Sequence, residues 1–163
     1  MRLTLLIICI LLAGCSTTSK LAWGTLYMVD SKEIESIRGT IVRENFLLAK
    51  DMSFANSGIV TIEKLSRNGE SDYYITVRYQ GPSWRFMEDI DLKIDGDIIT
   101  LTDESPYRHV NSGGGVEETV RCYLSEAAIH KLINCGSMDI QYFSRPISIP
   151  FEGLMAMKGF LIQ

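Results

Sequence analysis

Tyr107, Arg108 and His109 stand side by side just ahead of Asn111-Ser112-Gly113-Gly114-Gly115, and here the sequence offers its best grip for an anionic or glycan ligand. A phenol, a guanidinium and an imidazole all supply hydrogen-bond donors, and the glycines leave the loop backbone unusually free. The other histidine, His130, lies too far along the chain for an i, i+4 metal pair and falls beside Lys131 on the polar side of its helix, as a surface residue would. Asp89, Asp91, Asp95 and Asp97 suggest a cation site, but same-face residues on a strand are spaced roughly 6 to 7 Å apart, too far for one ion to gather. They read as a solvated face. Glu117 and Glu118 point to opposite sides of one strand, so they are not a paired acid and base. Glu118 shares the face of Val120 and Cys122, and burial there requires a partner such as Arg78 or Arg85. H-E-x-x-H, G-x-S-x-G, P-loop and G-x-G-x-x-G patterns are absent, so the sequence assigns no catalytic residue, no metal ligand and no cofactor.

The elements that must position these residues are mostly strands. Trp23 to Val29 fits a first strand, whereas Lys32 to Lys50 fits either a helix or a strand after Gly39. From Ile59 the apolar period becomes two: Ile59 to Leu65 is a strand closed by Arg67-Asn68-Gly69, and Asp72 to Gln80 places Tyr73, Ile75, Val77 and Tyr79 on one face. Gly81-Pro82 breaks the pattern. Trp84 to Ile94 reads as one strand, interrupted only by Glu88, and Asp95-Gly96 turns it into Ile98 to Thr102. Val116 to Leu124 follows the glycine loop. Ser125 caps a helix over Glu126 to Asn134, Met138 to Ile149 is a last strand, bent or interrupted at Arg145-Pro146, and Phe151 to Gln163 is a short terminal helix. The fold class is α+β: mainly an antiparallel β-meander, folded on itself or covered by helices on one face, with one short helix late in the chain and one at its end.

The amino terminus carries a different signal. Met1-Arg2 leads into the apolar run Leu3 to Ala13, too short to span a bilayer but right for the hydrophobic region of a secretory signal. The exit, Leu12-Ala13-Gly14-Cys15, resembles the lipobox of bacterial lipoproteins. The resemblance implies that residues 1–14 are a signal peptide cleaved before Cys15, that the Cys15 sulfur carries a diacylglycerol, and that the new amino group is acylated with a fatty chain such as palmitate. Ser16, in place of the aspartate that marks inner-membrane retention, implies passage to the outer membrane. Residues 15–22 are then a lipidated start and short polar tether, and residues 23–163 a single globular domain.

With 163 residues, 46% of them hydrophobic, the chain can bury one core. Lys and Arg number 16 against 20 Asp and Glu, a formal charge of −4 that loss of Arg2 makes one unit more negative. Nucleic acid is disfavoured as a partner. Of four cysteines, Cys9 leaves with the signal and Cys15 takes the lipid; Cys122 and Cys135 remain in an oxidising compartment and are expected to pair as a disulfide. The expected function is a non-enzymatic, periplasm-facing envelope module, held by membrane lipid and presenting a surface to an envelope protein partner. The rival reading is a small periplasmic hydrolase of cell-wall or glycan material, centred on Tyr107, Arg108 and His109.

Overall fold

The computed structural model describes residues 29–36, 39–52, 57–103, 106–142 and 146–163. The apolar leader, Cys15, the tether and all of the expected Trp23–Val29 strand except Val29 lie outside these residues. Six strands build the larger sheet: β1 (Val29–Ser36), β2 (Gly39–Met52), β3 (Ser57–Arg67), β4 (Glu70–Gly81), β7 (Tyr107–Val110) and β8 (Val116–Tyr123), in the order β1-β2-β3-β4-β8-β7. Each neighbouring pair is antiparallel. The stretch that fitted helix or strand equally well therefore resolves into two strands, with Ser36 paired to Gly39 at their junction. Its apolar spacing blurred because the register shifts between Leu47 and Ala49, so that Leu48 and Ala49 are both buried although adjacent in sequence. An extra residue at a bulge breaks the two-residue period on which strand recognition rests.

The smaller sheet contains β5 (Asp89–Ile94), β6 (Asp97–Thr102), β9 (Met138–Gln141) and β10 (Ile147–Ser148), ordered β10-β9-β5-β6 and antiparallel throughout. Two helices complete the fold, α1 (Glu126–Asn134) and α2 (Phe151–Ile162). Ser125 caps α1 as its sequence position demands: its hydroxyl accepts from the Ala128 amide at 3.2 Å. Both sheets and both helices contribute to one buried cluster, including Ile62, Ile75, Ile90, Leu92, Leu132, Ile140 and Met157. The fold is α+β and mainly antiparallel β, as the periodicity predicts.

One strand expectation needs correction and another resolves between its alternatives. Trp84 to Ile94 is not one strand: residues 82–88 form an irregular segment, and the ladder begins at Asp89. Phe86 adopts φ +56° and points outward while Met87 is buried, so the apolar phase slips by one residue before Ile90. Over Met138 to Ile149 the interrupted alternative is the one found: β9 and β10 are separate strands, and β10 turns back to pair with β9, Ile147 opposite Ile140. A proline at 146 cannot donate to a ladder, and the pairing resumes one residue later.

The expected Cys122–Cys135 disulfide is absent, and both are buried free thiols. Cys122 faces inward from β8, opposite Ile75 on β4. Cys135 ends α1 with its Sγ donating to the Leu132 carbonyl oxygen at 3.1 Å, so it turns onto its own helix. Desolvation pushes the Cys122 thiol up to about 12, helped by the Asp103 and Asp89 charges, and burial also raises Cys135. Burial thus disfavours the thiolate at both positions, which slows the thiol–disulfide exchange that depends on it.

Candidate functional site

The residues expected to act together form the last strand of the larger sheet, whose outer edge pairs with no other strand among the described residues. This strand, β7, is paired to β8 with Tyr107 opposite Thr119, Arg108 opposite Glu118, His109 opposite Glu117 and Val110 opposite Val116. The Asn111 amide donates to the Gly115 carbonyl at 2.7 Å and the Gly114 amide returns to the Asn111 carbonyl at 2.9 Å, closing the hairpin. Gly114 sits at φ +83°, a conformation glycine adopts without penalty. Backbone groups alternate sides along an antiparallel strand. Since Asn111 points its amide at β8, His109 and Tyr107 do the same, and Arg108 and Val110 turn their N–H and C=O groups to the open edge.

Side chains alternate as well, and they separate the expected trio. Tyr107 and His109 share the outer face, stacked with ring centroids 6.2 Å apart and an interplanar angle of 21°. Arg108 takes the inner face. Its Nε lies 3.5 Å from Glu118 Oε2, and its guanidinium also donates to the Met87 carbonyl at 3.2 Å and to Glu88 Oε1 at 3.4 Å. It further lies 5.6 Å from the centre of the Phe86 ring. The structure thus brings Tyr107 and His109 together on one face and places Arg108 on the other, in contact with Glu118, Met87 and Glu88.

Glu118 is the centre of that cluster. It is 0% exposed, and its burial is satisfied as the sequence requires, though by other groups than the side chains expected. Its Oε1 accepts from the Arg85 backbone amide, its Oε2 accepts from the Met87 amide at 3.1 Å, and Arg108 supplies the positive charge. Arg78 is on the opposite face, 3.7 Å from Glu117, which also accepts from Gln80 Nε2 at 2.8 Å. The Arg85 side chain instead reaches Tyr79, with Nε 3.2 Å from the phenol oxygen. Glu118 therefore fastens the irregular 82–88 segment onto the sheet. This role was missed in the sequence; its one signal was Glu88 breaking the apolar alternation beside Gly81-Pro82.

The aspartates divide in the same way. Asp89 and Asp91 lie on β5, and Asp91 accepts from the Thr100 hydroxyl at 2.6 Å. Asp95, in the β5–β6 turn at φ +50°, instead accepts from the amides of Gly136 and Ser137 at 2.9 and 2.8 Å and from the Ser137 hydroxyl at 3.2 Å. Those bonds, the Ser137 amide foremost, hold its carboxyl below the usual aspartate value. Asp95, Asp97 and the exposed His130 border a shallow depression of about 210 Å³ together with Lys131 and Asn134. Among the described residues, no group of three or more His, Cys, Asp and Glu side chains is disposed to hold a metal ion.

On the outer face of the larger sheet, charges are joined in a row. Glu63 lies 2.6 Å from Arg121 and 3.8 Å from Arg43, and the Arg121 guanidinium sits 3.4 Å above the centre of the Tyr74 ring. Exposed large apolar and aromatic residues stand at the β7 rim, in Phe86, Tyr107 and Val110, and along α2, with Ile98 on β6 and Tyr123 on β8 exposed apart from these. No helix among the described residues is long and apolar enough to cross a membrane. Compared with known proteins, the chain matches no family model, no curated protein and no solved structure.

Proposed function

We propose that this chain is a lipid-anchored protein of the bacterial cell envelope, held in the outer membrane through Cys15 and facing the periplasm, where its domain serves as a non-enzymatic binding or accessory module. The observation that carries this reading is the apolar run Leu3 to Ala13 ending in Leu12-Ala13-Gly14-Cys15. A thioether-linked diacylglycerol supplies two chains, and two chains suffice for stable anchoring where one gives only marginal binding.

The β7 rim supports the binding part. Arg108 and Val110 each offer one N–H and one C=O at an open edge, while Tyr107 and His109 form an exposed ring ledge beside it. An extended segment of an envelope protein can add to such an edge, with main-chain bonds giving affinity and the ledge receiving alternate side chains. The strand is short and is preceded by Pro106, which limits uncontrolled pairing with other edges. A photo-crosslinking residue at position 107 in intact cells tests this. It is expected to trap one envelope protein that the same probe at the distant, exposed Ser71 does not trap, and to lose it when Arg108 and Val110 are N-methylated in a semisynthetic chain. Identical products from both probes, or none, contradict the rim as the docking site.

A further inference from the structure

The C-terminal helix α2 carries large apolar residues on its exposed side as well as on its covered one, with Glu152 and Lys158 as its charged residues. Leu154, Met157, Phe160 and Leu161 are buried in the core. On the far side Phe151 is 70% exposed, Met155 51% and Ile162 68%. At about 100° per residue, the spacing i, i+4, i+11 puts these three within an arc of roughly 40°, a straight stripe about 16 Å long. Gly159 continues it, Glu152 borders it on one side, and Lys158 on the other donates to the Cys135 carbonyl at 2.6 Å, at the end of α1.

α2 packs beside the first described strand pair, and the length of chain that precedes that pair bears on what faces this stripe. Phe160 of α2 stacks on Phe46 of β2 with ring centroids 5.4 Å apart, and the cross-strand neighbour of Phe46 is Val29, the first described residue. Thirteen residues lie between Cys15 and Val29, so the proposed anchor stands at most about 50 Å of chain from the strand pair on which α2 packs. The stripe bares on the order of 400 Å² of side chain. That is about half of what each partner contributes to a stable protein interface, which argues against a second copy as its occupant. It is sufficient for a surface already held at high effective concentration by a covalent anchor.

We infer that the exposed α2 stripe Phe151-Met155-Ile162 rests on the lipid surface to which Cys15 tethers the chain, seating the domain at the headgroup boundary with α2 in the membrane plane. The inference builds on the proposed anchoring at Cys15, and the experiment separates the two. A single fatty chain is coupled through a maleimide to Cys15 of the chain from residue 15 onward; the thiols of Cys122 and Cys135 are buried and protected. One chain alone gives a binding constant of about 10⁴ M⁻¹, weak enough for a second contact to be read.

Partition into phosphatidylcholine vesicles is then measured by flotation for the natural sequence and for Phe151→Ser with Met155→Ser. Both positions are exposed, so circular dichroism should be unchanged, and partition should fall about tenfold or more. In a Phe151→Trp chain, lipids brominated on their acyl chains should quench fluorescence beyond the level seen with the native tryptophans. Equal partition of the two sequences overturns the inference, as does a natural chain that dimerises through the stripe and gains nothing on vesicles. Because the fatty chain is supplied chemically, a Cys15 found unacylated in cells removes the anchoring proposal and leaves this measurement standing.

Discussion

Glu118 shows how one buried charge can organise a neighbourhood. A carboxylate without solvent is tolerated only where its lone pairs and its charge are answered, and here two backbone amides and Arg108 do so. The amides belong to a segment with no ladder of its own, so the same bonds that satisfy Glu118 hold residues 82–88 and allow Phe86 its positive φ. Glu118→Gln keeps the volume but removes the charge and turns an NH2 toward one of the two amides. It should lower stability by about 1–3 kcal/mol, read as a lower urea midpoint at unchanged slope. An unaltered midpoint would mean that the segment is held by other contacts. The inward direction of Glu118 was legible from its place beside Val120 and Cys122. Its partners were not, because two of the three are main-chain groups that carry no sequence signature, and Arg108 belongs to the strand that was read as a ligand site.

Among the elements, regular alternation was readable and departures from it were not. β3, β4, β6, β8 and both helices follow from period and capping residues, whereas the bulge after Leu47, the phase slip at Met87 and the β9–β10 reversal each add or drop a residue from that period. The aspartates illustrate the same limit: a row spaced along a strand looks solvated until the turn rotates one of them away. Asp95 joins the β5–β6 turn to the start of β9 by capping the amides of Gly136 and Ser137. Its carboxyl is held below the ordinary 3.8, so the stabilisation is present above that value and fades as pH falls through the lower folded one. Asp95→Asn tolerates the same turn conformation but loses the charge. Its melting temperature should lie below that of the natural chain at pH 7, with the gap closing as pH drops below 3.8. A gap that is constant from pH 7 to pH 2 would show that the charge is not what the two amides recognise.

At the scale of the molecule, two surfaces among the described residues carry the proposals: the β7 rim and the apolar stripe of α2. β1, the first described strand, pairs with β2, which packs on α2 through Phe46 and Phe160, and the proposed anchor assigns each surface a neighbour, an extended envelope segment for the first and the lipid surface for the second. Everything in this assignment depends on fatty chains at Cys15. Intact-mass spectrometry of the protein recovered from bacterial membranes with a carboxy-terminal tag tests it most directly. The account predicts a chain that begins at Cys15 and carries the mass of a diacylglycerol, with or without a third acyl group. A chain that still begins at Met1, or one with an unmodified Cys15 in the soluble fraction, would contradict it.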